Sequence, residues 1–224
     1  MLHGFDEVLF FYYAKYMNQD EKFWDKIAEK YSKQPVADEA AYQKKLKVTQ
    51  GYFQSDMEVL EIGCGTGSTA IVHASYVHHI RAIDISPNMI EIAKRKAKAE
   101  EIDNITFEVS SIDRLKVADK SMDMVMAHSI LHLLEDKDAA IASVFDILKP
   151  GGLFVSSTVC LNDAMWFLKP IIPIMCLFGK APQLVRFFTA KQLVKSIADI
   201  GFEIDYQWQP GRSAALFIVA KKPA

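Results

Sequence analysis

The sequence has no long run of apolar residues. Its most apolar segment, residues 165–178, is interrupted by Lys169, Pro170 and Pro173, and falls well short of the roughly 18 residues needed to cross a bilayer. Cysteine is scarce: Cys64, Cys160 and Cys176 are an odd number at wide spacing without a CxxC pair, which argues against a disulfide framework and a zinc cluster, and points to a reducing, cytoplasmic setting. Among the six histidines no HExxH-type spacing occurs, and no metal site is expected. An excess of charge of either sign is also missing. Lys and Arg number 26 against 28 Asp and Glu, for a formal net charge of −2, so no global field favours a nucleic-acid partner. The first residues, Met1-Leu2-His3-Gly4-Phe5-Asp6-Glu7, carry neither a basic region nor a small-residue cleavage site, so no signal peptide is expected. No repeat or low-complexity segment is present.

What remains is an ordinary globular composition, with 50% hydrophobic and 24% charged residues in a chain of 224. One domain with one substantial core is expected.

The chain is organised around Val59-Leu60-Glu61-Ile62-Gly63-Cys64-Gly65-Thr66-Gly67-Ser68, a short apolar strand running into a glycine-rich turn and then a helix start. Glycine tolerates positive φ and lets backbone N–H groups approach a ligand. A turn between strand and helix is the ligand crevice of an open α/β sheet. The glycines fall at 63, 65 and 67, and Ser68 stands where a third dinucleotide glycine would be. Glu61 would repel a pyrophosphate, whereas it suits a ligand ammonium. A nicotinamide dehydrogenase is thereby disfavoured.

Seventeen positions after Gly67 the second strand, residues 80–84, ends in Asp84. A carboxylate there can accept hydrogen bonds from both hydroxyls of a ribose. Ser86 as N-cap and Pro87 at the first helical position then start a helix.

The segment Glu61-Ile62-Gly63-Cys64-Gly65-Thr66-Gly67 resembles motif I of the class I S-adenosylmethionine-dependent methyltransferases, and Asp84-Ile85-Ser86-Pro87-Asn88-Met89 resembles their Asp-x-Ser-x-x-Met. The resemblance also covers Lys149-Pro150-Gly151-Gly152; it is strong over residues 55–160 and looser over 189–220. It implies that Glu61, Gly63, Cys64, Gly65, Thr66 and Gly67 wrap the methionine end of S-adenosyl-L-methionine, with S-adenosyl-L-homocysteine as product. It further implies that Ile85 and Met89 wall the adenine and that Ala127 and His128 at the fourth strand end lie near the methyl group. Ser111 stands where the family commonly has an adenine-binding Asp, so the backbone of Ile112 or the side chain of Asp113 is left to serve the base.

The implied fold is α/β: a doubly wound, seven-stranded, mostly parallel sheet with helices on both faces, extra N-terminal helices and a C-terminal antiparallel hairpin. Strands are expected at 58–62, 80–84, 105–109, 122–127 and 153–158, with a break at Lys149–Gly152 and a hairpin over 202–208 and 214–220. Residues 5–17 are aromatic-rich and read as a helix, and 20–31 and 39–53 as two more. The single domain divides into an N-terminal helical lid (1–54), a cofactor-binding core (55–158), an apolar insertion (159–188) and a last helix with the hairpin (189–224). That helix is announced by Thr189-Ala190-Lys191-Gln192, a capping box, and stopped by Gly201.

The expected reaction is methyl transfer to a small molecule, since the charge is balanced and the Asn/Asp-Pro-Pro-Tyr type motif of amino-group methylation is replaced by Ala127-His128-Ser129-Ile130; the apolar insertion, read as a lid, favours an apolar or aromatic one. His128, His132 and Tyr31 are candidates for a general base. His128 could equally just shape the cofactor pocket, and Tyr31 could be a half-buried surface residue. A methyltransferase-like accessory or regulatory protein that binds cofactor without turnover is the alternative function. The insertion could be a lid, ordinary core, a homodimer interface on an otherwise monomeric chain, or a peripheral membrane contact through residues 165–178.

Overall fold

The computed structural model describes residues 19–224; the aromatic helix expected over 5–17 lies outside the described residues. The chain enters through helix α1 (residues 19–32) and α2 (Glu39–Gln50), then alternates β1 (Glu58–Ile62), α3 (Ser68–His73), β2 (His79–Asp84), α4 (Pro87–Ala99), β3 (Ile105–Val109), β4 (Met122–His128), α5 (Lys137–Ile147) and β5 (Leu148–Val159). Two short helices, α6 (Leu161–Ala164) and α7 (Ile172–Leu177), occupy the apolar insertion. α8 (Ala190–Ile200), β6 (Glu203–Trp208) and β7 (Ala215–Lys221) complete the chain.

The strands form one sheet of order β3-β2-β1-β4-β5-β7-β6. β1 pairs in parallel with β2 and β4, β2 with β3, and β4 with β5, while β7 is antiparallel to both β5 and β6. Connections leave β1 toward β2 on one side and return to β4 on the other, so a crevice opens above the carboxyl ends of β1 and β4. Buried on both faces, the central strands read as apolar runs rather than alternating ones.

Alternation still decides which side chain faces which layer. Leu60, Ile62, Val125, Ala127 and Phe154 join α5 and α8 in one core, whereas Val59, Met124, Met126 and Val155 join α3 and α4 in the other. Local rules start and stop the helices. Ser86 Oγ accepts the Met89 N–H at 3.1 Å, the Thr189–Gln192 capping box is complete, and Gly201 ends α8 at φ 115°. Each such cap contributes about 1 kcal/mol.

The expected break at Lys149–Gly152 is instead the entry to β5, which begins at Leu148 rather than near 153. The α5 cap residue Leu148 is already extended, and the glycines keep the chain in the ladder. Gly151 N–H donates to Lys222 O at 3.0 Å, and Lys222 N–H to Gly152 O at 2.9 Å. Lys222 then donates its ammonium to the carbonyls of Phe145 and Leu148, closing the end of α5.

The loop after β1 is fixed by packing as well as by φ. Gly63, Gly65 and Gly67 all have positive φ; a Cβ on Gly67 would stand 2.8 Å from both Ala93 and Phe107, while Gly151, also at positive φ, has open space around it. Gly151→Ala should therefore cost only the left-handed conformation, about 1 kcal/mol. Gly67→Ala should add roughly 1 to 3 kcal/mol of overpacking. Urea unfolding of the two variants measures the difference, and equal losses would show that α4 and β3 yield at that point.

Candidate functional site

A cavity of about 330 Å³ lies above the carboxyl ends of the strands, where β1 and β4 diverge. Its wall comes from Gly63 and Gly65 of the loop, Asp84, Ile85 and Met89 after β2, Ser110 to Asp113 after β3, and His128 to Ile130 after β4. α5 contributes Ala139, Ala140 and Ser143, and the segment after α7 contributes Pro182 and Leu184.

The roof is α1, which brings Asp20, Trp24 and Tyr31 to the cavity. Tyr31 Cε1 lies 3.8 Å from where a Cβ on Gly65 would be, and its ring meets Trp24 edge to face at 6.3 Å. α1 is tied down on both sides. Asp25 accepts from the hydroxyl of Ser86 and from the Asn88 N–H at 3.0 Å, placing a carboxylate at the start of α4 where the helix dipole favours it. Glu29 pairs with Arg95 at 2.7 Å, and Asp20 accepts the Gln183 N–H at 2.6 Å on the opposite side.

Asp84 is held rigidly. Oδ2 accepts Gly65 N–H and Oδ1 accepts Ser86 N–H, both at 2.9 Å, which leaves each oxygen capacity for one more donor. Burial pushes its carboxyl up, against the pull of the Ser86 and Gly65 N–H groups. Glu61, 2% exposed, is raised to about 8 by burial and then by the charge of Asp84. The Ala70 N–H supports the carboxylate, yet its Oε2 has no partner. A buried carboxyl, Glu61, and a partly buried one, Asp84, thus flank the glycine loop, and neither has a cationic side chain against it among the described residues.

His128 ends β4 beside Ser157 of β5, and its Nε2 is shielded without a partner. Burial, with His73 and Lys45 nearby, lowers it to about 3, so the imidazole is neutral. Burial lowers His73 and His132 to about 4. Tyr31 is raised by burial and by Asp84, and its phenol stays protonated.

Of the residues singled out in the sequence, Tyr31, Gly63, Gly65, Asp84, Ile85, Met89, Ser111, Ile112, Asp113 and His128 meet at the cavity. Glu61, Cys64, Thr66, Gly67, Ala127 and His132 stand outside its wall. Thr66 accepts from Lys96 at 2.9 Å, and Cys64 is buried with its thiol pushed well up. His132 sits on the 3-10 turn after β4, its carbonyl accepting the Arg186 N–H. Sequence reasoning missed Asp20, Ala139, Ala140, Ser143, Pro182 and Leu184. The run of small residues in α5 was the available signal, since it leaves room beside the sheet.

The sequence profile of a methyltransferase domain matches residues 53–198. The chain belongs to this family, in its class I, S-adenosylmethionine-dependent branch. It is 30% identical over 134 residues to a demethylmenaquinone methyltransferase of Leptospira interrogans, covering 55% of this chain and 54% of that protein. It is 28% identical over 163 residues to a ubiquinone biosynthesis O-methyltransferase of Rickettsia canadensis, covering 70% and 68%. The matched part thus spans about half the length of the first relative and two thirds of the second. The fold is similar to the crystal structure of YcgJ from Bacillus subtilis, with a TM-score of 0.68, 16% identity, and 81% and 99% of the two chains covered.

These ionisations set how ligand-free stability depends on pH. Histidines lowered on folding lose stability as pH falls below the unfolded value of 6.5, each by about 1.4 kcal/mol per pH unit until its folded value of about 4 or 3 is reached. Glu61 acts in the opposite sense: raised from 4.5 to about 8, it lowers stability as pH rises through that window. Asp84 has the same sign. Stability should therefore peak near pH 6.5, and Glu61→Gln should flatten the alkaline side of the curve. Urea unfolding across the pH range checks this; a curve still rising to pH 8 would contradict the buried, unpaired state of Glu61.

Proposed function

We propose that the chain is an S-adenosylmethionine-dependent methyltransferase acting on a small apolar or aromatic acceptor. The observation that carries this reading is the pair of carboxyls beside the glycine loop, buried Glu61 and partly buried Asp84, at the edge of a mainly apolar cavity. An unpartnered oxygen on Glu61 and spare acceptor capacity on Asp84 suit a ligand that brings both positive charge and ribose hydroxyls.

Asp84 takes the ribose, its carboxylate already aimed by two backbone donors. Ile85, Met89 and Ile112 wall the adenine, and the unpartnered Ser111 Oγ faces its polar edge together with the Ile112 N–H and Asp113. Gly63 and Gly65 face the methionine end, with Tyr31 above them. Cys64, Thr66, Gly67 and Ala127 hold the loop and strand end from behind. Glu61 balances the ammonium from beneath the loop. When bound, the cofactor supplies a methyl group on a sulfonium, and the protein positions the reactants and excludes water.

The rest of the wall, Ile130, Leu133, Leu134, Ala139, Ala140, Pro182 and Leu184, suits an apolar acceptor. The two quinone-pathway relatives point the same way. A neutral His128 at the boundary orients an acceptor hydroxyl through an imidazole nitrogen, and is a weak proton acceptor. Tyr31 remains protonated and acts as a donor, and His132 stands behind the wall. Residues 1–54 and 159–188 serve as the lid of one domain, 55–158 as its cofactor core and 189–224 as its closing helix and hairpin. The acceptor is a small molecule rather than nucleic acid, in keeping with the net charge of −2.

Calorimetry with S-adenosylmethionine tests the assignment. Asp84→Ala removes two charge-assisted contacts, about 1.5 to 3 kcal/mol each, so affinity should fall at least ten-fold with the circular dichroism spectrum unchanged. Binding by the native protein should release protons near neutral pH as Glu61 ionises, seen as a dependence of the heat on the buffer, and Glu61→Gln should abolish that dependence. His128→Gln should lower kcat on lipophilic phenols or quinols while cofactor affinity holds. Unchanged affinity in Asp84→Ala would overturn the site, and tight binding without turnover on any acceptor would favour an accessory role.

A further inference from the structure

The insertion between β5 and α8 turns its apolar side chains outward. Leu177 is 85% exposed, Phe178 72%, Trp166 67%, Ile174 55% and Phe167 52%. Ile174 and Leu177 of α7 and its cap residues Ile171 and Phe178 fall on one helical stripe, and none of them belongs to either core. A surface helix normally presents such a stripe to the interior. Contiguous apolar surface of this kind marks a contact site.

Charge identifies the partner. From Ala164 to Ala198 there is no acidic residue; of the five cations there, Arg186 and Lys195 pair with Glu135 and Asp199, and Lys169, Lys180 and Lys191 have no acidic partner among the described residues. Lys169 and Lys180 are exposed at either end of α7 and have no acidic partner among the described residues. A short helix with aromatic and aliphatic side chains outward and lysines at its flanks is the pattern of an interfacial element lying in lipid headgroups. A second copy of the same face would oppose like charges and is disfavoured.

We propose that residues 166–180 dock the protein on the surface of an anionic lipid bilayer. The apolar side chains enter the headgroup boundary, and Lys169 and Lys180 meet lipid phosphates. No described helix is long and apolar enough to cross a membrane, so the contact is peripheral. Docking rests on this surface alone and stands whether or not methyl transfer is established. It has a consequence for the cavity: Pro182 and Leu184, which line it, directly follow the docked segment, so the acceptor side would open close to the lipid.

The test is flotation of the full chain with phosphatidylcholine vesicles, with and without phosphatidylglycerol. Binding should be at least ten-fold tighter with the anionic lipid and should weaken as salt is raised. Leu177→Ser combined with Phe178→Ser, and separately Lys169→Glu combined with Lys180→Glu, should each reduce it ten-fold or more. These side chains are exposed, so thermal unfolding should be unchanged. Trp166 emission should shift to the blue on anionic vesicles, a change lost in Trp166→Phe. Failure to float, or equal binding by the variants, overturns the proposal. So does a Trp166 shielded from acrylamide in the lipid-free protein: light scattering then assigns the cover to a second copy if the chain is dimeric, and to the chain's own residues 1–18 if it is monomeric.

Discussion

The structure depends on one constraint: the chain must reverse direction between β1 and α3 in a space too small for side chains. Gly63 turns against Ile130 and Gly67 against Ala93 and Phe107, so the loop is clamped between the segment after β4 and the packing of α4 on β3. The Gly65 N–H then points at Asp84, and the end of β2 is locked to the end of β1. The backbone of Gly63 and Gly65 thus makes the floor beneath Tyr31, with apolar side chains around it.

That floor carries an electrostatic debt. Glu61 and Asp84 approach the same loop from neighbouring strands, where burial disfavours charge on both, reinforced at Glu61 by Asp84 and at Asp84 by Asp25. Around His128 and His73 the histidines are likewise held neutral by burial. In the ligand-free state this end of the sheet is therefore poor in stabilising ionic contacts, and a cation bound there would be stabilised by groups already in place.

How much of this could be read from residues follows from range. Ser86, Pro87, Thr189 and Gly201 cap or stop helices within four residues of themselves, so those roles were legible. The motif I glycines were legible because positive φ is a local demand. Lys149 to Gly152 read as a break, since proline and glycine usually end elements, but hydrogen bonds between Gly151, Gly152 and Lys222, the residue after β7, draw them into the sheet. The wall residues from α5, Asp20 and the 182–184 segment were not legible, because what makes them a wall is which helix lies opposite. The outward stripe of α7 was seen as apolar excess, while its direction was decided by the tertiary structure.

α1 is fastened by acidic side chains at both edges of the cavity, Asp25 and Glu29 on α4 and Asp20 on Gln183. Its bonds are few and mostly at the surface, whereas the sheet beneath is continuous. α1 is thus a beam fastened at its edges over the cavity. Because that beam runs from Asp20, on the side of Pro182 and Leu184, to Tyr31 above Gly65, both ends of the cavity lie beneath one helix, and a change in its seating would be felt at both.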